Sequence, residues 1–206
     1  MCTRYFVNNI TPEIREIMEQ GKLSPLARRF IHAGHPIKTE GEIRPTDVVP
    51  VLAPNSTGER AVYPMKWGYS NMYQGGKLIL NARTETAAVK LMFKEDWLKH
   101  RCIIPASYYF EWEHMKSVDG KIKTGDRYII QPKDANITWL CGLYHIENDF
   151  PTFVVLTREP SQDIAFIHDR MPLILPEHMI GDWIRPGADP DDMIKRALTD
   201  MIAEKG

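Results

Sequence analysis

The sequence predicts a single α+β domain, residues 1–206, with a mostly antiparallel, barrel-like β core and peripheral helices. The first observation is size and composition. The 206 residues are 43% hydrophobic and 26% charged, which is enough to bury a core without a metal or a disulfide. The second is that about eight to ten short apolar segments are separated by turn residues. The third is that helical segments fall between them irregularly, without a doubly wound βαβα rhythm or a phosphate-binding P-loop.

Alternating or short apolar runs bounded by glycine, proline or polar residues predict the strands. They are expected at residues 4–7, 48–52, 61–67, 77–80, 102–104, 108–112, 127–131, 138–144, 152–157 and 171–175. The glycine- and lysine-rich residues 118–126 are expected to form a hairpin tip.

Helices are predicted from capping and periodicity. The first begins at Thr11, with Pro12 at its first position, and is closed by Gly21. Apolar residues that share one face predict a C-terminal helix at about 189–205 that packs on the domain. Other helices are expected at 84–101, with a break near 92–94, at 160–167 and at 176–184.

Charge and cysteine content narrow the function classes. The formal net charge of −1 argues against a broadly basic nucleic-acid coat, although not against a local basic groove. Three cysteines without paired spacing indicate neither a disulfide framework nor a zinc ribbon, and Cys102 and Cys141 lie in apolar strands as expected core residues. With no apolar signal core and no run of 18 apolar residues, we expect a cytoplasmic protein, nucleoid-associated if bacterial.

Cys2 directly follows Met1. If Met1 is removed, Cys2 carries an α-amine and a thiol on adjacent carbons, with ordinary pKa values of about 7.7–8.0 and 8.5. Such an aminothiol condenses with an aldehyde to a Schiff base, which the thiol closes into a five-membered thiazolidine ring. The same group can serve an N-terminal-nucleophile hydrolase, in which the amine is the base for the thiol.

Five segments in order resemble the SOS-response-associated peptidase (SRAP) family, the abasic-site-processing proteins. The resemblance spans residue 1 to about 175. The segments are residues 1–5 (MCTRY), 44–47 (RPTD), 81–86 (NARTET), 101–106 (RCIIPA) running on to 109–112 (YFEW), and 168–172 (HDRMP). The resemblance implies the SRAP fold, binding of single-stranded DNA and covalent capture of the aldehyde of an abasic site.

By matching motif, the resemblance implies an active site of Cys2, Asn81, Glu111 and His168. A carboxylate such as Glu111, with a pKa raised by its aromatic neighbours, suits the role of base. His168 is expected to titrate near neutrality and to donate the proton that opens the sugar or that protonates the leaving hydroxyl. Asn81 can orient the amine without competing for its proton, or it can cap the helix near Thr84.

DNA contacts are predicted from residue type and position. The expected phosphate ligands are Arg4, Arg83 and Arg170. The alternative is that Arg170 or Arg83 pairs with Asp169 or Glu85. Trp67 and Trp112 are candidates for stacking on bases or for the core. Pro45 is expected to help a wedge that disfavours duplex DNA on one side.

Three departures from the family pattern bear on the DNA contacts: Thr3 and Tyr108 stand where glycine is usual, and residues 68–70 lack the usual apolar-proline ending. We expect no cofactor, no metal and no membrane partner. We also expect a monomer that acts at low or single turnover, with lyase-like crosslinking and self-removal of Met1. His32 and His35 are followed by no further ligand at metal-site spacing. The alternatives left open are an N-terminal-nucleophile cysteine peptidase or amidase and a non-catalytic DNA-binding module.

Overall fold

The computed structural model describes residues 2–70, 75–116 and 122–206. Its helices are α1 (Pro12–Leu23), α2 (Pro25–His32), α3 (Thr84–Ala87), α4 (Lys94–Lys99), α5 (Ile180–Ile184) and α6 (Pro190–Lys195), with a 3-10 turn at Glu177–Met179. Its strands are β1 (Arg4–Val7), β2 (Gly41–Ile43), β3 (Val48–Pro54), β4 (Arg60–Trp67), β5 (Tyr69–Ser70), β6 (Leu78–Ile79), β7 (Asn81–Arg83), β8 (Arg101–Ala106), β9 (Tyr108–Lys116), β10 (Ile122–Pro132), β11 (Thr138–Glu147), β12 (Phe150–Arg158), β13 (Met171–Pro172) and β14 (Met201–Lys205).

Five strands close into a ring. Strand β11 pairs with β8, β8 with β3, β3 with β4, β4 with β12, and β12 again with β11. Only the β12–β4 pairing in this ring is parallel. The C-terminal half of β12 extends beyond the ring, where it pairs with β7 on one edge and β13 on the other. The predicted α+β fold with a mostly antiparallel, barrel-like core is confirmed.

A second sheet carries the start of the chain. Its order is β14-β10-β9-β1-β2, and every pairing in it is antiparallel. Strand β1 lies between β2 and β9, with Tyr5 opposite Tyr109. Both tyrosines are buried, so this face of β1 and β9 looks into the molecule. Side chains alternate along a strand, and the intervening residues therefore point to the outer face.

Helix α1 approaches β3 so closely that only glycine fits at one position. A Cβ atom on Gly21 would lie 2.5 Å from Cβ of Pro50. The sequence prediction that Gly21 closes the helix is therefore wrong, because α1 continues to Leu23. Ser24 then accepts a hydrogen bond from the backbone N–H of Ala27 and caps a second helix, α2.

The predicted C-terminal helix at 189–205 is also wrong in its second half. Helix α6 ends at Lys195, and β14 pairs with the edge of β10. Met193 and Met201 are both buried as the periodicity requires, but they belong to two different elements. Without β14, the backbone N–H and C=O groups along one side of β10 would have no strand partner. Pairing with β14 satisfies them, whereas a helix packed on the surface would leave them unpaired.

Three smaller predictions differ from the structure. The expected helix at 84–101 is two short helices, α3 and α4, separated by turns. Residues 160–167 form turns rather than a helix. Part of the hairpin tip predicted at 118–126 lies outside the described residues, and residues 122–126 belong to β10. No helix in the described part of the chain is long and apolar enough to cross a membrane.

The contact between α1 and β3 is testable. Gly21→Ala places a methyl group against the Pro50 ring, and overpacking of this kind costs about 1–3 kcal/mol of unfolding free energy. Gly181→Ala is the matched control, because its Cβ meets no atom within 4 Å and alanine is the better helix former. Urea unfolding of both variants decides: equal stability of the two would refute the close approach.

Candidate active site

Cys2 is fully buried at the entry to β1. Its Sγ lies 3.7 Å from the carbonyl oxygen of Arg4. Burial raises the pKa of the Cys2 thiol well above its usual range, and the negative charge of Glu111 raises it further. The thiol is therefore protonated at neutral pH, and Cys2 and Glu111 are close enough to interact electrostatically.

Strand pairing positions Glu111 beside the start of the chain. Arg4 pairs with Phe110, so continuing the antiparallel register by one residue places Thr3 opposite Glu111. Glu111 shares the inner face of β9 with Tyr109 and is buried. Burial raises the pKa of the Glu111 carboxyl, as the sequence predicted, while the N–H of Trp112, which donates to its Oε1 at 3.3 Å, lowers it.

Two tyrosines line the same interior surface. Burial raises the pKa of Tyr5 and of Tyr109 well above the ordinary value, and the negative charges of Asp47, for Tyr5, and of Glu111, for Tyr109, raise it further. Their hydroxyl groups are buried and make no hydrogen bond within the described residues. Each is therefore a neutral O–H donor that a polar substrate can engage. Neither tyrosine is predicted as a site residue from the sequence, although the i, i+2 spacing of Tyr109 to Glu111 places the two side chains on one face of a strand.

His168 reaches the same strand from the loop before β13. The backbone N–H of His114, on β9, donates to the carbonyl of Ile167 at 2.8 Å, and the rings of His114 and His168 are 3.9 Å apart. The negative charge of Asp169, the residue after His168, raises the pKa of Glu111. These contacts bring the 168–170 loop to the edge of the Cys2–Glu111 pair.

The expectation that His168 titrates near neutrality is wrong. Burial, with the charge of His114 adding to it, lowers the pKa of His168 to about 4. Its Nδ1 accepts the backbone N–H of Arg170 at 2.9 Å and also lies 2.8 Å from Oδ1 of Asp169. A backbone N–H can only donate, so Nδ1 is the acceptor. The neutral ring then carries its proton on Nε2 and donates from there.

Asn81 lies on β7, opposite Val155 of β12. Its Oδ1 is buried and accepts no hydrogen bond from the described residues, while α3 is preceded by Arg83 at its cap position rather than by Asn81. The carbonyl of the preceding Leu80 accepts the indole N–H of Trp67 at 3.1 Å, and the Trp67 ring is 5.3 Å from Tyr5. This chain of contacts connects Asn81 to the tyrosine-lined interior.

Trp67 is a core residue, and its prediction as a stacking platform for bases is wrong. It is fully buried, and its ring stacks on Phe153 at 6.0 Å. Its backbone instead holds a turn: the N–H of Thr46 donates to the Trp67 carbonyl, and the Trp67 N–H donates to the Asp47 carbonyl. The half-exposed Pro45 is thereby fixed on a turn beside the site.

Arg170 does not serve as the predicted phosphate ligand. Its guanidinium forms a two-pronged ion pair with Glu85, at 2.7 and 2.9 Å, and also donates to the carbonyl of Thr157. The side chain is buried, so this cation holds the 168–170 loop against β12. The alternative pairing with Glu85 is the one observed.

The other predicted DNA contacts remain accessible. Arg83 is exposed at the end of β7. Arg4 is 38% exposed in its side chain, donates to Glu42 at 2.7 Å, and lies with its guanidinium carbon 5.4 Å from the centre of the Trp112 ring. Trp112 is half-buried, with its ring on the outer face of β9.

One cluster of potential metal ligands lies at positions other than His32 and His35, the pair considered from the sequence. Within the described residues, His114, His168 and Asp169 place one potential ligand atom each within 4.8 Å of one another, and this donor set suits a divalent transition ion. His32 is exposed, and the ring of His35 packs at 6.5 Å from Phe30. Cys102 and Cys141 are buried free thiols, as predicted for core residues.

A family model described as SOS response associated peptidase (SRAP) matches residues 1–205. The chain belongs to this family. The family membership predicted from the five motifs is thereby confirmed, and the match includes Cys2, Glu111 and the loop of His168 within its span.

Several similar proteins carry one kind of name. "Abasic site processing protein YoqW" of Bacillus subtilis (strain 168) is 29% identical over 203 residues, which cover 93% of this chain and 84% of that protein. "Abasic site processing protein YobE" of the same organism is 38% identical over 122 residues, 56% and 53% of the two chains. "Abasic site processing protein YedK" of Escherichia coli (strain K12) is 30% identical over 129 residues, 59% and 54%.

Two solved structures share the fold of this chain. A crystal structure of a protein from Bacteroides thetaiotaomicron matches with a TM-score of 0.70 at 20% identity, covering 99% of this chain and 91% of that one. One from Bordetella bronchiseptica matches with a TM-score of 0.69 at 21% identity, covering 100% and 99%. These likenesses support the fold.

The raised pKa of Glu111 makes a stability prediction with a defined sign. A carboxyl group whose folded-state pKa lies above its unfolded value destabilises the folded state when ionised. Glu111→Gln should therefore raise the melting temperature at pH 7. The gain should fade as the pH falls towards about 4.3, the ordinary glutamate pKa, because both forms are then uncharged. Thermal melts from pH 4 to 8 test this.

The control is Glu113→Gln, which removes a half-exposed carboxylate two residues further along β9. It should show no comparable pH-dependent gain. A Glu111→Gln protein that melts below the parent at pH 7 would mean that the buried carboxylate stabilises the fold.

Proposed function

We propose that this protein captures abasic sites in single-stranded DNA covalently, through a thiazolidine formed by Cys2 once Met1 has been removed. The observation that carries the proposal is that Cys2 and Glu111 are both buried, and that they lie close enough for the charge of Glu111 to raise the pKa of the Cys2 thiol. Membership of the SRAP family and relatives named as abasic site processing proteins support the same reaction.

The pKa values set an order for the chemistry. A buried thiol with a strongly raised pKa is a weak nucleophile, so the α-amine of Cys2 attacks the ring-opened sugar aldehyde first. Glu111 accepts a proton from the ammonium and returns it to the hydroxyl that leaves as water. The thiol then adds across the C=N bond: a C–S bond forms, and the thiol proton passes to nitrogen. The sum is aminothiol plus aldehyde giving thiazolidine plus water.

The surrounding groups have supporting roles. The neutral His168 donates a hydrogen bond from Nε2 to the sugar ring oxygen and keeps its proton. As the ring opens, Glu111 passes the proton of the C1 hydroxyl to that oxygen. Asn81 offers its buried Oδ1 to the Cys2 amine. Outside the pocket, Arg4 and Arg83 contact flanking phosphates, Trp112 stacks on a neighbouring base, and Pro45 wedges one side.

The thiol pKa weighs against the hydrolase alternative. An N-terminal-nucleophile hydrolase needs a thiol that its own amine activates, whereas burial and the charge of Glu111 hold the Cys2 thiol protonated. A covalent product with the thiol built into a ring also implies one turnover for each protein molecule.

The covalent step can be resolved atom by atom with Cys2 variants. The parent protein should give a shifted band on a denaturing gel with a single-stranded oligonucleotide that holds one abasic site. Cys2→Ser keeps the amine and loses ring closure, so its adduct should survive only after borohydride reduction. Cys141→Ala, which removes another buried thiol, should crosslink like the parent.

Three controls complete this experiment. Intact DNA and a tetrahydrofuran lesion lack the aldehyde and should give no adduct. Intact-mass spectrometry of the N-terminus should show that Met1 is absent from every crosslinked molecule. Absence of an adduct from a protein with free Cys2 would overturn the proposed function.

The role of Glu111 predicts a pH signature. With Glu111 as the local base, the crosslinking rate should fall only as the pH drops through its raised pKa. In Glu111→Gln the acidic limb should move up towards about 7.7–8.0, the ordinary value of an α-amine, and the rate at pH 7 should fall about 10²- to 10⁴-fold. Single-turnover rates from pH 4 to 9 measure both.

His168→Gln is the comparison variant for this profile. It should lower the rate without moving the acidic limb, because the pKa of His168 is already about 4. If the acidic limb of the pH–rate profile shifts in His168→Gln and stays in place in Glu111→Gln, then His168 rather than Glu111 is the base.

A further inference from the structure

The outer face of the second sheet carries a row of aromatic rings beside the site. Alternation along β1 and β9 places them opposite to the inward Tyr5, Tyr109 and Glu111. The row consists of Phe6, Tyr108, Phe110 and Trp112. Phe6 and Tyr108 are directly opposite in register and stack in parallel, with ring centres 5.0 Å apart and an angle of 9°. Both are only half-buried, so part of this stacked pair faces solvent.

Guanidinium groups alternate with these rings. Arg127 lies over Phe110 with its guanidinium carbon 4.8 Å from the ring centre, and Arg4 lies over Trp112 at 5.4 Å. Burial raises the pKa of the Tyr108 phenol, while the charge of Arg127 lowers it and that of Glu42 raises it. Tyr108 is therefore flanked by one cation and one anion.

The acidic groups of this face lie towards its edges. Glu42 is on the edge strand β2 and is bound by Arg4 at 2.7 Å and Arg44 at 3.0 Å. Glu204 is on the opposite edge strand, β14, across from Ile129. The described outward residues of β1 and β9 include no carboxylate, and Arg4 and Arg127 lie over two of their rings. Glu42 faces Phe6 from the edge strand, where Arg4 and Arg44 neutralise it.

We propose that the Phe6–Tyr108 pair and Arg127 form a base-stacking platform for the intact nucleotides on one side of the lesion. The proposal rests on the proposed function, because it assumes that the abasic site of the DNA strand is bound at Cys2 and Glu111. Aromatic faces stack on any base, and guanidinium groups hold the backbone phosphates, which is the usual recipe for sequence-independent binding of single strands on a sheet.

Continuity with the site favours DNA over another occupant. Trp112 is the residue next to Glu111, and Tyr108 lies four positions before it on β9. At about 3.4 Å per residue the two rings are roughly 14 Å apart along the strand, a span of about four stacked nucleotides. Strand β1 begins at Arg4, opposite Phe110, so β9 is open on this side from Glu111 onwards. A DNA strand that leaves Glu111 round this end of β1 meets Trp112 on the outer face and then the Phe6–Tyr108 pair.

The experiment measures non-covalent affinity, so it is independent of crosslinking. Fluorescence anisotropy in a Cys2→Ala background would compare oligonucleotides that have no intact nucleotide, or four, on the 5′ or the 3′ side of the lesion. Extension on one side should strengthen binding. Phe6→Ala/Tyr108→Ala should abolish that gain, a loss of about fivefold or more from the stacking energy of a base, and leave the gain on the other side unchanged.

Matched variants separate stacking from bulk apolar area. Tyr108→Phe and Phe6→Tyr keep the rings and should keep the gain. Leu91→Ala removes an apolar side chain that is 95% exposed elsewhere and should have no effect. Arg127→Gln should lower the slope of log affinity against log salt by about one, as expected for one phosphate contact. A 2-aminopurine base placed on the extended side should be quenched by the parent and not by Tyr108→Ala.

Several results would overturn the platform. The first is a double alanine variant that keeps the affinity gained from added nucleotides on both the 5′ and the 3′ side of the lesion. The second is an equal loss of that gain on both sides. The third is a dimer, detected by light scattering, whose formation depends on Phe6 and Tyr108. If the double variant does not fold, the single pair Tyr108→Ala and Tyr108→Phe decides by the same readout. A protein that binds through the platform but never crosslinks would refute the proposed function and retain the platform.

Discussion

The site depends on one backbone pairing, that of β1 with β9. It brings the first residues of the chain against the middle of a strand more than a hundred residues away, and its register places the entry of β1 beside Glu111. A slip of β1 by one residue against β9 would turn Tyr5 to the outer face and Phe6 inward, because side chains alternate along the strand that shifts. The inner face of this strand pair therefore carries the groups that we propose for proton transfer, and the outer face carries the proposed binding surface for the DNA strand.

Burial is what gives the inner face its chemistry. It raises the pKa of the Cys2 thiol and of the Glu111 carboxyl and lowers that of His168, which moves each group towards its uncharged form. A set of ordinary, solvated side chains would be charged differently at neutral pH. The surroundings that impose this burial come from both sheets, with Trp67 and Arg170 fixing the neighbouring turn and loop from inside the molecule.

Some elements and site residues followed from the sequence, and others did not, for identifiable reasons. The strands around Cys102 and Thr152 were found because their apolar runs are short and bounded by turn residues. The helix predicted through Met201 failed because a helical period of apolar residues is equally satisfied by a short helix followed by a strand. Trp67 and Arg170 were assigned to DNA because residue type indicates what a side chain can bind and says nothing of what already surrounds it.

By itself the sequence determined the family and the fold class, and it supplied the reactive unit that we propose. Five ordered motifs and a cysteine behind Met1 are covalent facts that no folding can alter. Only the tertiary structure decided the protonation of Cys2, Glu111 and His168 and which arginines and tryptophans face solvent. Those properties arise from burial and from neighbours distant in sequence, since desolvation and Coulomb interactions act through space rather than along the chain.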